Sequence, residues 1–395
     1  MPPAAPLPDE LPPSPRGGAL PDLLTVSDPR DMVALVPYRL GYRPRESLVL
    51  LCLRGDRPQV GLVMRVDLPG AEDLPVVVAH LARHAGHDGA RGAVAVVYSD
   101  EPVSARTEAV VAEVLASHGV VLKDAWHVGR ERYRSLTCAD PGCCPADGWG
   151  VGSLDSTLVS AEMVARGRVV AGSRSELAGN LRPVADARRA RVTGLAVTHA
   201  QRRPNGTAAA LTTWRRAGLT AWRKAVAVRP GSWQGPEVAE RVAAVLLGTM
   251  TDRTVRDALL LDCVPGMRPA ADQLVRGQVD ETVARALDGV FAPDAAVAPD
   301  AERLDRADLL LQSLVRQAEG GMRAAPLGLM AWSAWWCGDG GRGSVIVDLA
   351  LAADPGHRLA LLISSALEAG MPPGWAQRNR LTDVGVRRSG RRAGS

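Results

Sequence analysis

The sequence contains few of the residues on which several common enzyme classes depend. Lysine occurs twice, at Lys123 and Lys224, and neither lysine follows a glycine. A phosphate-binding loop of the Walker A type needs a Gly-Lys pair, so the sequence lacks that loop. Schiff-base and kinase chemistry also use a lysine side chain, and both are therefore disfavoured. The sequence also lacks G-x-S-x-G, H-E-x-x-H and a Rossmann glycine pattern after a strand.

Signals for secretion and membrane insertion are missing too. The N-terminal residues have no basic segment followed by an apolar segment, as a secretory signal would have. No apolar run approaches the roughly 20 residues that a membrane-spanning helix needs. The sequence has six cysteines in 395 residues, three of them clustered, which differs from a secreted disulfide scaffold. We therefore expect a cytoplasmic protein without a membrane partner.

Alanine and arginine are abundant, a bias that is typical of a high-GC genome. The net charge of +4 therefore does not by itself indicate a polyanionic partner. A chain of 395 residues can form two or three domains. The predicted segments are a Pro-rich disordered tail at 1–20, an α/β domain at 21–155, Arg-rich connecting helices at 156–235, a helical domain at 236–375 and a basic disordered tail at 376–395.

The N-terminal half alternates between strand-like and helix-like patterns. Asp28 and Pro29 predict the start of a short helix, and Pro37 predicts its end. Gly55–Pro58 predicts the turn of a hairpin between the first two strands. The predicted strands are 47–53, 59–67, 92–98 and 120–128, and the further predicted helices are 74–85 and 107–117. This alternation predicts a mixed or parallel sheet that is covered by helices.

The C-terminal half has helical periodicity. Predicted helices lie at 156–166, near 238–246, at 252–261 with Asp252 as the cap, near 271–287 and at 303–318, and three more occupy 325–370. The helix-turn-helix rhythm predicts an all-α, tetratricopeptide-like region. Before it, Trp214 and Trp222 lie on an apolar stripe flanked by Arg215 and Arg223. Such a stripe can bind nucleic acid, a membrane or an acidic partner. Given the arginine bias, we interpret it as a solvated face and do not expect nucleic acid as a partner.

The most chemically suggestive stretch is the segment from Tyr133 to Gly150, which we call the Cys loop. It contains Cys138, Cys143 and Cys144, and a turn sequence from Asp140 to Gly142 should fold the first thiol back towards the other two. The loop follows the last predicted strand, a position where α/β folds often place binding sites. The candidate functional residues of the loop are Tyr133, Arg134, Cys138, Asp140, Cys143 and Cys144.

Three interpretations of the Cys loop stay open. The loop can be a structural turn with reduced thiols, a zinc site or a site of thiol redox exchange. Zinc usually needs four converging ligands, and the C-x4-C-C spacing differs from the usual C-x2-C. His80, His84 and His87 are further candidate ligands on a predicted helix. Redox exchange would normally use C-x-x-C, which this loop does not contain.

Charged residues on both sides of the thiols act in opposite directions. Asp140 and Asp147 should raise the pKa of the thiols, because negative charge disfavours a thiolate. Arg130, Arg132 and Arg134 should lower it. The sequence does not rank the two effects.

Four stretches resemble an uncharacterised actinobacterial family known as domain of unknown function 4192. They are Val36–Leu51, Tyr133–Gly148, Asp252–Leu260 and Ala325–Pro373. The first supplies a candidate N-terminal motif, whose residues are Pro37, Tyr38, Gly41 and Ser47. The resemblance implies the two-part architecture and a cytoplasmic location, but it supplies no activity, substrate or catalytic residue.

These observations lead us to expect a regulatory or protein-interaction protein. Stacked helix pairs make concave surfaces, so the helical half is expected to bind another protein. No cofactor is expected on this interpretation. The alternative is a metal-binding or thiol-redox protein, or an enzyme, that uses Cys138, Cys143 and Cys144 and in which zinc is the candidate ion.

Overall fold

We describe the fold from a computed structural model of the chain. The described residues are 28–55, 59–165, 168–179, 181–228, 238–292, 294 and 296–376. The predicted N-terminal tail, positions 56–58 of the candidate hairpin turn and the predicted C-terminal tail from residue 377 onward lie outside the described residues.

The N-terminal half contains a mixed sheet of six strands with helices on both faces. Its strands are β1 Ser47–Arg54, β2 Gln59–Asp67, β3 Gly92–Tyr98, β4 Val121–Val128, β5 Arg132–Ser135 and β6 Trp149–Gly150. Its helices are α1 Pro29–Leu40, α2 Leu74–His87, α3 Ala105–Ser117 and α4 Leu158–Ala165. The strand order is β2-β1-β3-β4-β5-β6, in which β3 and β4 are parallel and the other neighbours are antiparallel. The predicted α/β fold is confirmed.

The central strands are apolar on both faces because each face meets a different core. In β1, Leu48 and Leu50 pack with residues of α2 and α3, while Val49 and Leu51 pack with residues of α1. Successive side chains of a strand point to opposite faces, so a strand covered on both sides is continuously hydrophobic. This is why the bounds of β1 and β3 could be predicted from apolar runs alone.

Helix α1 does not end at Pro37, and that prediction is wrong. Asp28 caps the helix start, and its side chain accepts a hydrogen bond from Arg30 N at 2.8 Å. Pro37 lies inside the last turns, where its missing N–H removes a single helical bond and the chain continues to Leu40. The stop is Gly41, whose φ of 80° and bond to Pro37 O at 2.7 Å form a left-handed C-cap.

The hairpin β5–β6 was not predicted from the sequence. Tyr133 and Arg134, assigned to the Cys loop, lie in β5, and Tyr133 pairs with Trp149 of β6. These strands have four and two residues, too few for a periodic pattern to be recognised. The Cys loop therefore connects two strands at the edge of the sheet rather than closing the domain after β4.

The C-terminal half is all helical, as predicted. Its helices are α5 Asp186–Gln201, α6 Ala208–Ala227, α7 Glu240–Met250, α8 Arg253–Cys263, α9 Arg268–Val275, α10 Glu281–Phe291, α11 Ala301–Gln317, α12 Ala324–Trp336, α13 Gly340–Ala353 and α14 Arg358–Glu368. The single helix predicted near 271–287 is wrong, because Gly277 at φ 76° and the cap Asp280 divide it into α9 and α10. The tetratricopeptide likeness stays a prediction.

Helix α6 is part of the helical core. Trp214 and Trp222 are buried there, and Gly218 lets the helix lie close to Thr249 of α7. The interpretation of its basic side as a solvated face is wrong for Arg215 and Arg223, whose side chains are 13% and 27% exposed and form ion pairs with Asp252 and Asp262. Within the described residues, no helix is both long enough and apolar enough to cross a membrane.

Candidate functional site

The Cys loop brings three thiols together at the surface of the protein. The Sγ atoms of Cys138, Cys143 and Cys144 all lie within 4.8 Å of one another, and the last two are 3.8 Å apart. Cys143 is exposed and the other two are half-buried. Among the described residues, no other group of three or more Cys, His, Asp or Glu side chains has its ligand atoms close enough together to hold a metal ion.

The turn at Asp140 produces this clustering, as the sequence predicts. The carbonyl of Asp140 accepts hydrogen bonds from Cys143 N at 3.2 Å and Cys144 N at 2.7 Å. The Asp140 carboxylate accepts a hydrogen bond from Gly142 N at 2.8 Å, which closes an Asx turn. Asp140 therefore organises the backbone of the loop, and its side-chain oxygen is already engaged by that turn.

Asp124 of β4 fixes the first part of the Cys loop. Its Oδ1 accepts hydrogen bonds from Thr137 Oγ1 at 2.6 Å and Ser135 Oγ at 3.4 Å. Ser135 Oγ in turn accepts a hydrogen bond from Cys138 N at 3.0 Å. A chain of polar contacts thus runs from a sheet strand to the first cysteine. A lone aspartate in a strand carries no sequence signal for this role, and sequence reasoning missed it.

Arg132 and Gly148 fix the end of the loop. Arg132 donates hydrogen bonds to Asp147 O at 2.6 Å and Gly148 O at 2.7 Å. Gly148 has a φ of 69°, and a Cβ there would overlap the carbonyl oxygen of Tyr133. No other residue fits this backbone conformation without strain, so the position requires glycine.

Behind the loop lies a group of three aromatic rings. Tyr133 stacks on Trp149 with ring centroids 5.4 Å apart, and Trp126 lies 6.0 Å from each of them. The Tyr133 hydroxyl contacts Ser153 Oγ at 3.1 Å, and the side chain is buried. Arg30 of α1 lies over the Trp149 ring at 5.8 Å, within cation–π distance. Tyr133 therefore anchors the hairpin rather than presenting a hydroxyl to solvent.

The thiols differ in acidity. The backbone N–H of Asp140 and hydrogen bonds from the neighbouring thiols lower the pKa of Cys138, although the Asp140 carboxylate acts in the opposite direction. Partial burial, together with hydrogen bonds to Cys138 and Cys143, raises the pKa of Cys144 to about 12. The Asp140 charge therefore acts to raise the pKa of Cys138, as expected, but the backbone donor, which the sequence did not predict, outweighs that charge.

A cleft of about 710 Å³ lies beside the Cys loop, with Ala146 and Asp147 of the loop among its lining residues. It is situated at the carboxyl ends of the parallel strands β3 and β4, the edge where α/β sheets commonly bind ligands. Arg130 and Asp100 form an ion pair at 2.9 Å across this edge. Arg134 also lines the cleft, where it pairs across the strands with His127.

The N-terminal motif has a different environment. Pro37 and Gly41 form the end of α1, and Tyr38 packs with the apolar residues of α1 and α4. The hydroxyl of Ser47 is buried, donates a hydrogen bond to Arg45 O and accepts one from Arg65 Nε at 2.8 Å. These contacts stabilise α1 and the start of β1, and a functional role for the motif stays a prediction.

The histidines of α2 do not complete the thiol cluster among the described residues. The Nε2 atoms of His80 and His84 lie 3.1 Å apart, which confirms that they share a helix face. The group of ligand atoms that converges contains the three loop cysteines and no histidine. The described part of the chain would therefore supply three ligands to a metal in the Cys loop rather than four.

Comparisons with curated proteins and with solved structures give no match for the chain. A family model described as "Domain of unknown function (DUF4192)" matches residues 29–374, which include both halves of the fold. This match confirms the resemblance that the four sequence stretches indicate. The chain belongs to the DUF4192 family of domains of unknown function.

Proposed function

We propose that the protein binds a zinc ion through the thiolates of Cys138, Cys143 and Cys144. The observation that carries the proposal is the separation of the sulfur atoms, which lie within 4.8 Å of one another, with one pair 3.8 Å apart. Two thiolates bound at 2.3 Å to a tetrahedral zinc ion are about 3.8 Å apart. One pair already has this separation, and the third sulfur lies within 4.8 Å of both, so a movement of about 1 Å would bring it to the same separation.

The position of the thiols supports metal binding over a packing role. A structural cysteine usually fills space in a core, as Cys52 does in the sheet. Cys143 is exposed and its two neighbours are half-buried, so the thiols contribute little apolar packing. The N–H of Asp140 stabilises the thiolate of Cys138, and hydrogen-bond donors to the ligand atoms are common around metal sites.

Three protein ligands leave one coordination position for another molecule. Structural zinc sites are usually closed by four protein ligands, whereas sites with an open position bind water or a substrate. Asp124 and Arg132 hold the loop by hydrogen bonds that need no ion. Zinc is therefore proposed to supply an exogenous ligand site rather than to fold the loop. A cytoplasmic location, which we also propose, would keep the thiols reduced.

Elemental analysis of protein purified under reducing conditions tests the proposal. We expect about one zinc ion per chain, lost in Cys138→Ser and Cys143→Ser, because each substitution removes one of the three thiolates that bind the ion. The matched control is Cys337→Ser, which changes a cysteine outside the loop, and this variant should retain the ion. Absence of zinc after reconstitution, together with a disulfide among the loop cysteines, would instead support the redox alternative. The expected partner-binding role of the helical half stays a prediction.

A further inference from the structure

A second pocket lies in the helical half, where residues of α7, α8, α12 and α14 meet. Its volume is about 230 Å³. Sites for drug-sized ligands occupy about 300–1,000 Å³, so this pocket suits a smaller ligand. The charged and titratable residues that line it are Arg253, Arg256, Asp354, His357 and Arg358. These residues belong to Asp252–Leu260 and Ala325–Pro373, two of the four stretches that resemble the family. Neither stretch has so far been given a role.

Two of the pocket arginines, Arg253 and Arg358, are exposed, and within the described residues neither forms an ion pair. Arginines that pack into the core of the same half are paired: Arg215 binds Asp252 at 3.1 Å, and Arg223 binds Asp262 at 2.7 Å. Arg253 and Arg358 are therefore available to an anion, in contrast with these core arginines.

The third pocket arginine is held in place. Only 8% of the Arg256 side chain is exposed, and its Nε and Nη2 donate hydrogen bonds to Asp257 Oδ1 at 2.9 and 2.7 Å. This pair compensates its charge, so the uncompensated arginine charge of the pocket comes from Arg253 and Arg358. Arg256 supplies a positioned guanidinium edge, and such forks match phosphate geometry.

The remaining titratable groups are one acid and one histidine. Asp354 carries a negative charge that opposes an anion, and the hydrogen bond that its Oδ1 accepts from the backbone Gly356 N at 3.0 Å does not neutralise it. This single charge is outnumbered by those of Arg253 and Arg358. His357 packs over Gly328, and its Nδ1 accepts a hydrogen bond from Ala360 N at 3.4 Å, which leaves Nε2 as the protonated donor. Arg253 and Arg358 are also the first residues of α8 and α14, and the positive ends of helix dipoles favour negative charge.

We infer that this pocket binds the phosphoryl group of a small ligand. The charges of Arg253 and Arg358 exceed the single negative charge of Asp354, so the pocket has a net positive charge that favours a phosphate, which carries about −1.5 to −2 at neutral pH. Arg253 and Arg358 would bind its oxygens from the two helix starts, and Arg256 and His357 would donate from the pocket wall. This site is independent of the Cys loop, so either proposal can fail alone.

Calorimetric titration of the full chain tests the inference. The probes are inorganic phosphate and glycerol 3-phosphate, at an ionic strength held constant with sodium chloride. Arg253→Gln and Arg358→Gln alter exposed residues and should leave the fold intact, which circular dichroism verifies. Each should weaken binding by about tenfold or more, because a charge-assisted hydrogen bond is lost. The matched control is Arg276→Gln, which changes an exposed arginine outside the pocket, and this variant should bind both probes as the wild type does.

The two probes also identify the source of the phosphoryl group. Tighter binding of glycerol 3-phosphate would indicate a phosphorylated metabolite, and equal binding would indicate phosphate itself. Both results support the site when the two pocket variants weaken binding and the control does not. Absence of saturable binding for both probes, or equal binding by the wild type and the pocket variants, would overturn the inference.

Discussion

The Cys loop and the ion pairs of the helical half both bring several titratable side chains together, but these side chains differ in burial. Cys143 is exposed, whereas the side chains of Asp252 and Asp262 are 3% and 2% exposed. A buried charge must have partners, because its desolvation is otherwise uncompensated. A surface thiol has no such requirement. The comparison indicates that the buried network maintains the fold, while the surface cluster is available for chemistry.

Asp252 illustrates how the buried network works. It caps α8 and also accepts hydrogen bonds from Arg203 at 2.9 Å and Arg215 at 3.1 Å. Burial raises the pKa of Asp252, but the two arginines and the cap outweigh burial and hold that pKa below its usual value. One carboxylate thereby joins α6 and the α5–α6 connection to the start of α8.

The largest expected effect concerns the extent of the helical unit. The sequence predicts a domain that begins at residue 236, yet the core also contains Trp214 and Trp222 of α6. We expect a fragment of residues 181–376 to lose its helical circular dichroism cooperatively on heating, and a fragment of residues 238–376 to melt without cooperativity. Equal cooperativity and midpoints for the two fragments would show that α5 and α6 are dispensable.

The next prediction removes a buried carboxylate. Asp262 accepts hydrogen bonds from Arg223 at 2.7 Å and Arg303 at 2.9 Å. Asp262→Ala leaves both guanidinium groups without this partner, and the free energy of unfolding should fall by about 3–5 kcal/mol. Asp272→Ala removes a more exposed partner of Arg223 and should cost below about 1 kcal/mol. Denaturant titration measures both, and similar losses would contradict the distinction by burial.

The distance along the chain between interacting residues explains what could be predicted from the sequence. Local signals predicted β1 to β4 and the caps Asp28 and Asp252, because apolar runs and capping residues act on their own neighbourhood. The close approach of the thiols also followed from a local turn. The partners of Arg215 and Arg223 could not be predicted, because they lie 37 and 39 residues away in sequence. The anchoring role of Asp124 likewise depends on where the folded chain places the loop.

A smaller effect is expected at Gly148, near the end of the Cys loop. Gly148→Ala introduces a Cβ at a φ of 69° against the carbonyl oxygen of Tyr133. The free energy of unfolding should fall by about 1–3 kcal/mol through backbone strain, and zinc affinity should fall as the loop shifts. Gly152→Ala is the control, because a Cβ there meets no atom within 4 Å and the backbone is not left-handed. Equal stability of the two variants would show that the loop tolerates rearrangement.

The smallest effect on stability is expected for the thiols themselves. Because Cys143 is exposed, Cys143→Ser in the metal-free protein should change the free energy of unfolding by less than about 0.5 kcal/mol. Chemical denaturation of the reduced, metal-free variant and wild type measures the difference. A loss of several kcal/mol would mean that the thiol supports the fold, as the structural interpretation of the loop requires.

Counting reactive thiols with and without zinc tests the central claim most directly. In a Cys337→Ser background, Cys138, Cys143 and Cys144 are the accessible cysteines, since Cys52 and Cys263 are buried. We predict that about three thiols react in the metal-free reduced protein, Cys138 fastest because its pKa is lowered and Cys144 slowest because its pKa is raised. About one equivalent of zinc should protect all of them together, because a coordinated thiolate is no longer free to react. Unchanged reactivity of the three thiols in the presence of excess zinc would contradict the proposal.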